Sequence, residues 1–250
     1  MAFQTLPQGD QKGDRPWWLV AFVVMALALG IVIFVSDLYT QVFSTVVKGL
    51  GVTVFVTLIG FLLATTLGLL IALLGMSDHM VLRQVARFYV EVVRGIPILV
   101  QLFYIYFVLP EFGIALSALQ AAIIGLGIAY SAYQSENFRA GIEAIPKGQF
   151  EAANAIGLSF FDTMRDVVLP QALRVIIPPL TSQYLNLTKN SSLGVAVGFP
   201  ELVSTGGTTL NQTGQAIEIV SIWLVVYLSI SIVTSLFMNW FNAKMALVER

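Results

Sequence analysis

The sequence has 250 residues, of which 57% are hydrophobic and 11% charged, with a formal net charge of −1. An ordinary soluble domain carries about 25% charged residues, so a soluble globular domain is excluded, and the near-neutral balance offers nothing to a nucleic acid. With no cysteine and a single histidine, His79, disulfides, thiol nucleophiles and thiolate metal centres are excluded, and a His-based metal site lacks ligands. A mean hydropathy of +0.84 excludes disorder. A membrane span needs about 20 apolar residues, so six spans would use nearly all of the apolar supply.

The first apolar run is Trp17–Val35, 19 residues without a charge. Lys12 and Arg15 precede it, as in a signal peptide. The run is long for such a leader, however, and no small-residue cleavage site follows. Trp17 and Trp18 suit a membrane interface. The second run, 52–74, carries Thr53, Thr57, Thr65, Thr66, Gly60 and Gly68. Its hydroxyls can bond back to the helix, and its small residues suit close helix packing. Pro97 to Pro110 spans only about 21 Å of helix, too short to cross a bilayer. The third span is therefore expected to begin near 83–88 and to kink at Pro97. Glu91 and Arg94, three apart, form an expected structural ion pair.

The fourth span, about 116–138, is apolar in its first half and polar in its second. The fifth, about 173–199, is expected to be broken early by Pro178-Pro179. The sixth is 219–241 and ends at Trp240-Phe241. With the N-terminus inside, Lys12, Arg15, Arg83, Arg87, Arg94, Arg139, Lys147, Arg165, Arg174, Lys244 and Arg250 all fall on the cytoplasmic side. Only Lys48 and Lys189 fall outside, so both termini are expected to be cytoplasmic.

The longest hydrophilic stretch, 139–174, holds Glu151-Ala152-Ala153, then Gly157, Val167 and Leu169-Pro170. Pro146-Lys147-Gly148 is a turn, and Phe150, Ala153, Ile156 or Gly157, and Phe160 recur at helical spacing. A short amphipathic helix on the cytoplasmic surface is expected. Such a helix can lie on the bilayer, but Ala152, Ala153 and Gly157 suit a closely packed partner.

This segment resembles the EAA signature of ATP-binding-cassette (ABC) importer permeases, with Val167 in place of the usual Ile. Arg94-Gly95-Ile96-Pro97-Ile98-Leu99-Val100-Gln101-Leu102-Phe103 is similar to the RGxPxLVQLF segment of polar amino-acid permeases. Ala132-Tyr133-Gln134-Ser135-Glu136-Asn137-Phe138-Arg139 is similar to their AYxxExxR segment, and Thr188-Lys189-Asn190-Ser191-Ser192-Leu193 to their KNTSL segment. The four motifs cover roughly 47–244, and the general-amino-acid branch is the nearest resemblance.

The resemblance implies an all-α membrane protein of six transmembrane helices. A permease core of five lies within 45–244, with the coupling loop at 139–174. One extra helix at 17–36 precedes it, and cytoplasmic tails lie at 1–16 and 245–250. It implies a transport subunit of the bacterial inner membrane rather than an enzyme, importing polar L-amino acids. It implies ATPase subunits inside, a second permease subunit of the same or a homologous kind, and a periplasmic binding protein, all in membrane lipid and without nucleic acid. No cofactor is expected in this chain. It lacks the Gly-x-x-x-x-Gly-Lys-Ser/Thr phosphate loop, so ATP and Mg are expected on the partner ATPase. Glu151, Ala152, Ala153, Gly157, Leu169 and Pro170 are expected to couple to that ATPase. Glu151 is equally explained as a solvated carboxylate favoured by a helix N-terminus.

The substrate path is expected along span five, at Tyr184, Asn186, Thr188, Lys189, Asn190, Ser191 and Ser192. Lys189 either helps attract a carboxylate or snorkels to the headgroups. Gln101 and Tyr104 either line the same cavity or act as interhelical glue. Glu136 and Arg139 form an expected structural ion pair. A self-sufficient secondary transporter or channel is the alternative reading. An intramembrane enzyme has few groups to work with.

Overall fold

The computed structural model describes residues 17–246, and the tails carrying Lys12, Arg15 and Arg250 lie outside them. Every regular element among the described residues is helical. Helix α1 (Trp17–Val35) is apolar on all sides and packs mainly on α2 (Asp37–Val46). Only Val47 separates α2 from α3 (Lys48–Gly75), and 37–75 forms one long apolar unit. The second run thus extends well upstream of 52.

The third expected span differs most. Helix α4 (Met80–Gly95) stops, and α5 (Ile98–Phe103) leaves at 100° to it, continuing through tighter and wider turns to Phe112. Pro97 lies between two helices and does not kink one. Its ring pushes the preceding Ile96 into the extended region (φ −104°, ψ 129°), which ends α4.

Helix α6 (Ala118–Glu143) opens with a capping box, in which the Ser117 hydroxyl accepts from the Gln120 amide and the Gln120 side chain accepts from the Ser117 amide. Short helices α7 (Lys147–Ala155) and α8 (Phe160–Asp162) lead into α9 (Leu169–Asn190). Pro178 and Pro179 do not break α9, contrary to expectation. Two amide donors are lost, yet packing of buried Ala172 and Ile176 on one side and Leu187 on the other holds the helix through the pair. Helices α10 (Leu202–Thr213) and α11 (Ala216–Ala246) close the bundle.

By length and composition, two of the described helices can cross a membrane, 37–75 and Ala216–Met238, or three if the bent pair Met80–Gly95 and Ile98–Phe112 is one span. The core of the bundle is the α3–α6 contact. Thr53, Thr57, Gly60, Ala64, Gly68 and Ala72 form the buried stripe of α3. A Cβ on Gly68 would stand 2.8 Å from the Gln134 Cβ and 2.9 Å from the Ser131 carbonyl oxygen, so the absent side chain sets the interhelical distance. Overpacking of this kind costs about 1–3 kcal/mol. Gly68→Val is expected to lower the detergent melting temperature measurably, and an unchanged melt would show that α6 shifts freely.

Candidate functional site

Three regions concentrate polar chemistry. The first is the loop between α6 and α9. Pro146 (φ −58°, ψ 136°) turns the chain after α6, and α7 follows. Its one buried residue is Ala153, and Phe150 packs on a cluster that includes Ala72, Phe138, Ile142, Ile145 and Val168. The Gln171 amide donates to the Gln149 side-chain carbonyl at 3.3 Å, which ties α7 to the start of α9.

The helix ends where Gly157 adopts φ +80°. The Gly157 amide bonds the Asn154 carbonyl and the Leu158 amide bonds the Ala153 carbonyl, a paired closure that a left-handed residue permits. Ile156 and Phe160 therefore lie beyond the helix and do not continue the apolar face of Phe150 and Ala153, as the periodicity suggested. They point outward at 77% exposure each, with Phe161 at 71%. Glu151, Ala152, Gly157, Leu169 and Pro170 are exposed around them. Isolated exposed apolar residues are ordinary, but three large ones within six residues, at the exit of α7 and in α8, suit a partner surface.

The second region is the seam of α6 and α9. The Asn190 amide donates to the Tyr130 phenol at 2.8 Å. Thr188 and Ser191 are buried, and their hydroxyls donate to the carbonyls of Tyr184 and Thr188, both at 2.8 Å. The Ser192 hydroxyl donates to the Lys189 carbonyl. Tyr184 stands edge-on to Phe61 of α3, with centroids 5.3 Å apart. Asn186 and Lys189 are exposed. The expected cluster thus divides into a hydroxyl face turned inward and an Asn186–Lys189 face turned outward. Both amide atoms of buried Gln134 have no partner among the described residues, nor has the Asn137 side-chain nitrogen. Buried polar groups of this kind cost free energy unless a second state or water satisfies them.

Gln101 and Tyr104 do not join that cluster. The Gln101 amide donates to the Val93 and Ile96 carbonyls at 2.8 and 2.9 Å, closing the end of α4 across the elbow. Tyr104 lies on an outer apolar face with Phe103 and Phe107.

The third region is a cleft of about 420 Å³ between α3, α4 and α6, on the side of the bundle from which α7 leaves. Arg83, Arg87, Glu91 and Arg94 line it from α4, and Glu136, Arg139 and Glu143 from α6. Arg139 binds Glu136 at 2.6 Å and Glu143 at 2.8 Å. Glu91 and Arg94 do not pair as expected. The helix brings them to one face, but the Arg94 guanidinium reaches across to lie over the Tyr133 ring, 5.3 Å from its centroid.

One residue that sequence reasoning did not single out is Glu201. It is fully buried and caps α10, accepting from the amides of Val203 at 2.9 Å and Ser204 at 2.7 Å. It also accepts from the Tyr227 hydroxyl of α11 and the Thr53 hydroxyl of α3. An acidic residue just before a helix is a cap signal, but its partners on α3 and α11 are distant in sequence.

Residues 64–247 match the family described as binding-protein-dependent transport system inner membrane component. The chain is 36% identical over 214 residues to the probable amino-acid ABC transporter permease protein YckA of Bacillus subtilis (strain 168), covering 86% of this chain and 95% of that one. It is 66% identical over 127 residues to the general L-amino acid transport system permease protein AapQ of Rhizobium johnstonii, 51% of this chain. That match spans only 32% of AapQ. The solved structure of an amino acid ABC transporter with histidines superimposes with a TM-score of 0.76 at 34% identity, covering 82% of this chain and 95% of that one.

Proposed function

The chain belongs to the family of binding-protein-dependent transport system inner membrane components, and from that membership we propose that it is the membrane subunit of an ATP-driven importer of polar L-amino acids. The observation that carries this reading is the exposed patch of Ile156, Phe160 and Phe161 beside Glu151, Ala152 and Gly157. It follows directly on a short helix that the Gln149–Gln171 hydrogen bond ties to α9, as suits a docking surface for an ATPase subunit.

In this reading α1, the α2–α3 unit, the α4–α5 elbow, α6, α9 and α11 make six passes through a bacterial inner membrane, with both termini inside. The cationic residues of α4, Arg83, Arg87 and Arg94, then face the cytoplasm together with α7. ATP and Mg act on the partner ATPase, and closure of an ATPase pair pushes two coupling helices, which calls for a second permease subunit. A periplasmic binding protein delivers the amino acid. Of the outer connections, 113–117 is short and 191–215 is packed onto the bundle through buried Val197, Phe199 and Leu202, so neither is built to capture it unaided. The substrate passes the α9 surface that carries Asn186, Lys189, Asn190 and Ser192. Gln101 serves as glue in this scheme and not as lining.

The test is a mild-detergent pull-down of the tagged chain from its native membrane, with mass spectrometry of what accompanies it. An ATP-binding subunit in near-equal amount is the expected result, and a co-purifying homologous permease identifies a heterodimer. A chain recovered alone and folded would favour the secondary-transporter reading. A second expectation concerns the seam. Asn190→Leu leaves the Tyr130 phenol without its donor, a loss of about 1–3 kcal/mol at a buried site. Uptake should fall while the ATPase subunit still co-purifies. Loss of co-purification instead would make Asn190 a purely structural residue.

A further inference from the structure

The charged cleft between α3, α4 and α6 has no part in the path or in the docking patch. We infer that it binds a free α-amino acid from the side on which α7 lies, and that occupancy there holds the coupling helix back. This inference rests on the proposed import function.

Four observations carry it. The volume of about 420 Å³ falls within the range of small-molecule sites. The lining carries both signs of charge, which suits a zwitterion and not a simple anion or cation. The charges are also unequally committed. Arg139 is held between Glu136 and Glu143, whereas Arg87 and Glu91, one turn apart on α4, make no ion pair or hydrogen bond among the described residues. A guanidinium takes a carboxylate in a bidentate pair, and a carboxylate beside it takes an ammonium group. Arg87 and Glu91 can thus receive the two ends of an α-amino acid. Buried Ser135 and the small residues Ala72 and Gly75 leave room for its backbone between the helices.

The link to the coupling helix is covalent and short. Glu136, Arg139 and Glu143 occupy the last turns of α6, which ends at Glu143, and α7 begins at Lys147. A ligand held by Arg87 and Glu91 of α4 fills the space against Glu136, Arg139 and Glu143, and so blocks movement of the end of α6 that α7 must carry along when the ATPase closes. A ligand that binds one state better shifts the equilibrium by that difference in affinity, so a cleft filled on the inside slows further import.

The experiment uses the complete transporter, with its ATPase and binding protein, in phosphatidylcholine liposomes. That lipid carries no primary ammonium group to mimic the ligand. All liposomes enclose Mg-ATP with a regenerating system; they also enclose millimolar L-glutamine, L-glutamate or inorganic phosphate, or no further solute (empty liposomes), and initial uptake of labelled amino acid is measured. Internal glutamine or glutamate is expected to slow uptake by several-fold and phosphate to leave it unchanged. Arg87→Gln and Glu91→Gln are expected to import normally into empty liposomes and to lose the inhibition, with about tenfold weaker sensitivity to the internal amino acid. Inhibition that persists unchanged in both variants, or that phosphate reproduces, overturns the inference. So does its absence from the wild-type protein. Failure of uptake into empty liposomes would count against the import reading instead. Binding of labelled glutamine to the detergent-solubilised chain, lost in Arg87→Gln and Glu91→Gln, would then still support the cleft, and its absence from the wild-type chain would overturn it.

Discussion

Glu201→Ala is expected to lower the thermal stability of the detergent-solubilised protein more than any other single replacement at a polar residue. Three losses coincide at this one carboxylate. The amides of Val203 and Ser204 lose the cap of α10, at about 1 kcal/mol. The Tyr227 hydroxyl and the Thr53 hydroxyl lose a buried acceptor, at about 1–3 kcal/mol for each group left unpaired. The total is roughly 3–7 kcal/mol, or about a 10–20 °C fall in melting temperature for a chain of this size. Glu201→Gln keeps one acceptor oxygen and its shape, so it should retain more than half of the stability. A Glu201→Ala protein that melts within about 2 °C of wild type would mean that α10 is anchored elsewhere. The remaining anchors in view are the Thr53 hydroxyl, which accepts from the Leu202 amide at 3.1 Å, and the Trp223 indole, which donates to the Leu202 carbonyl at 3.1 Å.

The opposite signature is expected at the docking patch. Ile156→Asp with Phe160→Asp removes two exposed apolar side chains that the rest of the chain does not cover. The fold should keep its melting temperature, because surface changes away from special features stay within about 0.5 kcal/mol. Buried anchors of an interface cost about 2 kcal/mol or more each, so the pair should weaken ATPase binding by about a thousandfold and abolish uptake. Retained uptake with a soluble, folded double variant would remove this surface from the coupling mechanism. Gly157→Val adds a separate check, since φ +80° strains a β-branched residue even though the space around it is open. It should distort the helix exit and mimic the double variant in part.

The legible parts of the fold are those where one local signal dominates. Helix α1 follows its uninterrupted apolar run residue for residue, and α7 is bracketed by Pro146 and Gly157. The exposed side of α7 was less legible. A helical period carried past Ala155 put Ile156 and Phe160 on one face with Phe150 and Ala153, whereas the helix stops at Ala155, Ile156 leaves the helical conformation (φ −92°, ψ 8°) and the left-handed Gly157 redirects the chain before Phe160. The two proline sites show why local rules run out. At Pro97 the preceding Gly95 and Ile96 offer no packing to carry a helix through, and the chain turns by 100°. At Pro178-Pro179 the flanking Ile176 is buried against Gly141 of α6, and the helix persists. The same residue type gives opposite outcomes because tertiary contacts decide. Glu201 was invisible for a related reason: its Thr53 partner lies 148 residues away. The Glu91–Arg94 pair looked secure on spacing alone, and the Tyr133 ring on another helix claimed the guanidinium.

The bond pair that Gln101 makes to Val93 and Ile96 turns the α4–α5 elbow into a rigid crank. A hinge would let either arm move alone. A crank with its arms at 100° converts a slide of one arm into a swing of the other. When α4 slides against the bundle, α5 and the turns beyond it as far as Phe112 must tip. Displacement of one arm of the elbow is thereby delivered to the other through a single glutamine amide.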